Sequence, residues 1–149
     1  MEDELTLRPA DLSHEEAIVA MARAFHAEDG HPLKASSPEA ILTLLRGSPL
    51  GRIHLLRVRG EVAGYCAECF TMSLEFGGVV TIVDDLYLKP QFRNQGFGGR
   101  VLFLLEVEAR ARGSVQLFLE VENANSGARR LYERNGFAVR HRHMMEKLL

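Results

Sequence analysis

The segment Arg93-Asn94-Gln95-Gly96-Phe97-Gly98-Gly99-Arg100 is the part of this chain best suited to hold a ligand. It follows a strand-like apolar run and opens a helical pattern. Glycines at such a junction let backbone N–H groups approach a ligand closely, and the start of a helix carries partial positive charge. With Arg93 and Arg100 at its ends, the segment suits phosphate or pyrophosphate; a plain connecting turn is the alternative reading. A Walker loop is excluded because no Gly-Lys-Ser/Thr follows. The spacing G-x-G-G also departs from the G-x-G-x-x-G of dinucleotide-binding units.

The rest of the chain must position that loop. Its 149 residues suit one domain spanning 1–149, large enough to bury a core without disulfides. With 18 Lys and Arg against 20 Asp and Glu, the net charge of −2 argues against nucleic-acid binding. The composition excludes disordered, collagen-like and disulfide-rich chains. The opening MEDELTLR is acidic where a signal peptide is basic, and no run approaches the roughly 20 apolar residues of a membrane span. A cytoplasmic protein with reduced thiols is expected.

Alternation predicts an opening strand over 5–8. Ser13 and Glu16 suggest a capping box for a helix that buries Ala17, Ile18, Met21, Ala22 and Phe25. A second helix is expected from Ser37-Pro38 to near Gly47, with Ser as its cap. Strands over 53–59, 62–72 and 79–88 form a meander that turns at Gly60 and at Gly77-Gly78. A helix over 98–112 carries an apolar stripe of Val101, Leu102, Leu104, Leu105 and Ala109. A strand over 114–121, a helix over 126–135 capped by Gly136, and closing strands over 137–139 and 143–147 complete the chain. The fold class expected is α+β: a mostly antiparallel meander feeding a βαβ unit, flanked by helices.

Two stretches then resemble one family. Residues 84–100, DDLYLKPQFRNQGFGGR, resemble the acetyl-CoA signature of the GNAT N-acetyltransferase superfamily, [Q/R]-x-x-G-x-[G/A], with Arg93, Gly96 and Gly98 in register. Asn125, Ala128, Leu131, Tyr132, Gly136 and Phe137 are similar to its second hallmark, N-x-x-A-x-x-L-Y-x-x-x-G-F. The element order agrees, and the diamine and polyamine acetyltransferase branch is the most similar. Asn94 departs from the pattern, which usually has Gly after the arginine.

The resemblance implies an acetyl-CoA cosubstrate. Backbone groups of Leu86, Tyr87 and Leu88 would pair with its pantetheine arm, the amides of Asn94, Gln95, Gly96, Phe97, Gly98 and Gly99 would hold its pyrophosphate, and Asn125 would contact it. Tyr132 matches the family's general acid for the leaving thiolate. Acyl transfer to an amine also needs a base, because an alkylammonium has a pKa of about 10. Asp84 and Asp85 are the candidates. In a regular strand only one of them faces the cleft, whereas a bulge brings both near it. Glu28, Asp29 and His31, in the loop after the first helix, are candidates for binding a cationic acceptor, and Glu68 is a weaker one.

Together these features predict an N-acetyltransferase acting on a primary amine of a small molecule, such as a polyamine or amino acid, by direct transfer in a ternary complex. A protein N-terminal or lysine acetyltransferase is the runner-up, and an inactive acyl-CoA-binding module is the reading from another class. A homodimer is expected by resemblance. Cys66 and Cys69 supply only two ligands of a zinc site, on opposite strand faces, and read as structural thiols. The arginines at 129, 130, 134, 140 and 142 read as a solvated basic face, or as contacts to the 3′-phosphate or a second subunit.

Overall fold

A computed structural model describes residues 4–149. The elements are β1 (Leu5–Pro9), α1 (Glu15–Glu28), α2 (Ser37–Leu45), β2 (Gly51–Val58), β3 (Glu61–Ser73), β4 (Gly78–Leu88), α3 (Phe97–Arg112), β5 (Gln116–Leu119) and α4 (Ser126–Arg134). The expected α+β class holds. The five strands form one sheet in the order β1-β2-β3-β4-β5, antiparallel except where β5 lies parallel to β4. Arg59 and Gly60, both at positive φ, make the two-residue turn that joins β2 to β3.

Alternation along the strands divides the core between the two faces of the sheet. On one face Leu56, Cys66 and Val83 pack with Phe97, Val101 and Leu105 of α3. On the other, Ile53, Leu55, Tyr65, Ala67 and Tyr87 pack with Ile18, Met21 and Ala22 of α1 and Leu45 of α2. Among the described residues no helix is long and apolar enough to cross a membrane.

Three local expectations are corrected. The capping box belongs to Asp11 and His14, because a 3₁₀ turn over Leu12–His14 precedes α1 and takes the cap from Ser13. Ser36, and not Ser37, precedes α2, and it makes no side-chain cap bond; Ala17 is exposed. The closing strands do not form: residues 137–149 carry no ladder. Only Phe137 of this segment is partly covered and residues 138–149 are exposed, so no buried face fixes a strand register there. Instead Arg142 pairs with Glu75, and the Arg140 guanidinium lies over Phe76 and Phe118.

Candidate active site

The ladder between β4 and β5 is short. It pairs Val80 through Val83 with Gln116 through Leu119 and then stops. It stops where β4 carries an extra residue, since the register against β3 passes from Ala67↔Asp85 to Glu68↔Val83 and leaves Asp84 unpaired. Such a bulge bends the strand and re-aims its side chains. Beyond it, the edge of β4 away from β3 is open among the described residues. The amide of Lys89 bonds to Ala63 of β3, so alternation turns the polar backbone groups of Leu86 and Leu88 toward that open edge. Tyr87 turns its carbonyl to β3, beside Gly64, and buries its ring. Of the three strand residues expected to meet a pantetheine arm, Leu86 turns both backbone groups to the open edge and Leu88 its amide, the Leu88 carbonyl being taken by Arg93.

The glycine loop opens α3 beside this edge. Asn94 and Gly96 have φ of 57° and 81°, so the loop turns through two left-handed residues. Asn94 tolerates that region better than most residues, which accounts for its standing where the family pattern has glycine. The first bond into α3 runs from Arg100 to Gly96. Among the described residues the amides of Phe97, Gly98 and Gly99 have no acceptor, as expected of an uncapped helix start. Gly98 has a packing reason as well: a Cβ there would stand 2.9 Å from Leu131 of α4. The Phe97 side chain is core, so only its amide is available to a ligand.

The arginines are less free than their sequence positions suggest. Arg93 donates to the Leu88 carbonyl at 2.8 Å and to both oxygens of Glu28 at 2.9 Å, with its guanidinium over the Tyr87 ring. It ties the end of α1 to the end of β4. Arg100 is paired with Glu4 and lies over Phe97. Glu28 therefore meets an acceptor already paired, while His31 is exposed and bonded to Glu122 at 2.9 Å. Asn125 caps α4 by accepting from the Ala128 amide.

The bulge separates the two acids. Asp84 keeps more than a third of its surface exposed, yet partial loss of hydration, and then the Asp85 charge beside it, raise its carboxyl above its ordinary value. Asp85 lies on the α1 face, where Oδ2 accepts from the Tyr65 hydroxyl at 2.6 Å and both oxygens face His26 Nε2, at 3.1 and 2.9 Å. Tyr132 is half-buried, edge-on to Phe137. Burial above all, with the Asp29 charge adding to it, pushes its phenol above the ordinary value, so it holds its proton at neutral pH. Glu68 is a correction: it is wholly buried, bonded to His54 and Arg112 on the α3 side, and cannot meet an acceptor. Cys66 is buried, and Cys69 half-buried.

Sequence spacing does not point to His26 or Tyr65. Each is brought to Asp85 by cross-strand register and helix docking, and the only local signal is that His26 ends an apolar helix face beside an acidic loop. A surface hollow lined by Glu15, Glu16, Val19, Ala20, Arg23 and Pro38 contains none of these site residues.

Comparison with known proteins points the same way. The model of the Acetyltransferase (GNAT) family matches residues 18–137. The chain is 28% identical, over 133 residues and 89% of each chain, to the uncharacterized N-acetyltransferase YhfO of Bacillus subtilis (strain 168). It is 36% identical over 80 residues to the streptothricin acetyltransferase of Streptomyces lavendulae, a match covering 53% of this chain and 40% of that protein. Its fold superposes on a possible acetyltransferase from Clostridium difficile 630 with a TM-score of 0.86, at 18% identity and over 99% of both chains.

Proposed function

We propose, from the premise that this chain belongs to the acetyltransferase (GNAT) family and is an acetyltransferase, that it moves an acetyl group from acetyl-CoA to a primary amine of a small molecule. The observation that carries this reading is the open edge of β4 beyond Val83, followed in the chain by unpaired amides at the start of α3. The donor set fits the cosubstrate: the edge groups of Leu86 and the amide of Leu88 for an amide-bearing arm, and the amides from Asn94 to Gly99 with the helix dipole for a pyrophosphate. Acetyl-CoA supplies the activated acyl group as a thioester. Tyr132, held protonated, is the donor for the departing thiolate, and the Asp84–Asp85 pair supplies the negative charge that draws in an ammonium and favours its deprotonation. Transfer is direct, in a ternary complex.

Acidic groups at the mouth of the site, with Asp84 and Asp29 near its reacting end and Glu122 on His31, favour a cationic acceptor of the polyamine or amino-acid kind over an apolar one. The streptothricin acetyltransferase among its relatives supports a small-molecule acceptor. We further propose a cytoplasmic homodimer in which residues 1–149 form one catalytic domain. The exposed Met144, Met145, Leu148 and Leu149 support self-association, which sedimentation tests. For the main reading, CoA release is followed spectrophotometrically across a panel of polyamines, amino acids and aminoglycosides. Turnover with at least one amine is expected; acetyl-CoA consumption by none of them, with peptide amines accepted instead, would replace the small-molecule reading.

A further inference from the structure

We propose that His26 is the catalytic base, with Asp85 and Tyr65 as its positioning residues; this rests on the acetyltransferase reading above. The cluster is built in sequence from the sheet outward. Tyr65, 1% exposed in β3, donates its hydroxyl to Asp85 Oδ2 at 2.6 Å. Asp85 in turn faces Nε2 of His26 at 2.9 Å, near the C-terminal end of α1. An ionised carboxylate only accepts hydrogen bonds, so Nε2 must carry the proton. The neutral ring then keeps its lone pair on Nδ1.

That second nitrogen decides the role. Among the described residues Nδ1 of His26 has no partner, and it is not among the buried unpaired atoms, so it is reachable from solvent. The Asp85 carboxylate is not reachable in the same way: its side chain is 11% exposed and both oxygens are engaged. A carboxylate held behind an imidazole whose far nitrogen is free orients the ring and stabilises its charged form. The charged and titratable groups around the ring are Asp85 and Asp84 from β4, Tyr65 from β3, and Glu28 and Asp29 further along its own chain segment.

The protons balance as follows. The acceptor ammonium gives its first proton to His26 Nδ1, forming an imidazolium paired with Asp85. The freed nitrogen lone pair forms the new N–C bond while the C–S bond breaks. Tyr132 protonates the departing sulfur, and the second proton leaving nitrogen restores the phenol. His26 returns its proton to solvent.

The tests are a spectroscopic reading of the free protein and a kinetic one of three variants. Long-range ¹H–¹⁵N spectra of the histidine rings should show neutral His26 protonated on Nε2 and bare on Nδ1; the opposite tautomer would overturn the proposal whether or not any amine is known. His26→Ala should bind acetyl-CoA as the parent does by calorimetry, yet lose about a hundredfold in kcat. It should also lose the acid limb of its pH–kcat/KM profile, and added imidazole should restore part of the rate. Asp85→Asn should keep the limb but lose rate, about tenfold or more, as a displaced tautomer would. Full kcat with an unchanged profile in His26→Ala overturns the role of His26 alone, as does loss of the acid limb in Asp84→Asn. Failure of the parent protein to bind acetyl-CoA overturns the functional reading, and the base assignment with it.

Discussion

The sheet carries a histidine–carboxylate pair on each of its faces, and the two have opposite surroundings. His54 and Glu68, bonded at 3.0 Å, are 1% and 0% exposed under the end of α3. Their second atoms, Nδ1 and Oε1, are buried without partners among the described residues, and Arg112 closes the cluster by bonding Glu68 and Thr81 while lying 4.0 Å over Phe70. His26 and Asp85, with side chains 27% and 11% exposed, sit where β4 has left β5. The chemistry of the pair is the same. What differs is whether the leftover nitrogen faces protein or solvent. The sealed pair holds α3 to the sheet; the open one has a base to offer.

That contrast breaks most visibly at Glu68. Removing one member of a buried ionic cluster strands the others, so Glu68→Ala should lose about 3–5 kcal/mol of unfolding free energy by urea titration. The protein that remains folded should keep its KM values. A change in kcat without loss of stability would mean the sealed pair also serves the chemistry.

Tyr132→Phe should behave in the opposite way, with a fall in kcat of about a hundredfold and little change in stability or in acetyl-CoA affinity. Because burial and then the nearby charges raise the phenol, the alkaline limb that it causes should lie above about pH 10. A wild-type kcat in this variant removes Tyr132 from the acid role.

The smallest effect is expected at Asp84, where the sign is informative. Its folded-state pKa lies above the unfolded value of 3.8, so the native state holds that proton more tightly. Stability then falls as pH rises from the unfolded value through the folded one, and the deficit persists at neutral pH. Asp84→Asn should therefore gain stability at pH 7, within about 0.5 kcal/mol because the residue is exposed and its charge is screened. The gain should vanish below the unfolded pKa. A loss at pH 7 would mean that the ionised Asp84 is held by a favourable contact.

Much of this architecture was legible in the residues. The glycine loop, the tyrosine-bearing helix and the meander each carry local signals, in turn glycines, in apolar spacing and in β-branched runs. Alternation also raises the question of how the two acids are oriented, and the register against β3 is what separates them, by leaving Asp84 as the extra residue. Contacts between distant segments were not legible. Nothing near His26 in the chain announces Asp85, 59 positions on, and nothing near Glu68 announces that Arg112 will cover it. Glu68 looked like an available acid because a strand residue's side depends on a bulge that sequence does not reveal. The closing strands are absent for a related reason: strand-like spacing needs a partner edge and a buried side, and residues 138–149 are exposed throughout.

The central claim is that the break between β4 and β5, with the amides at the start of α3, forms an acetyl-CoA site. Calorimetric titration of the protein with acetyl-CoA tests it most directly. The account predicts one saturable site of micromolar affinity, with CoA competing for it. No heat of binding from either acetyl-CoA or CoA would mean that the glycine loop is only a turn, and would contradict the account.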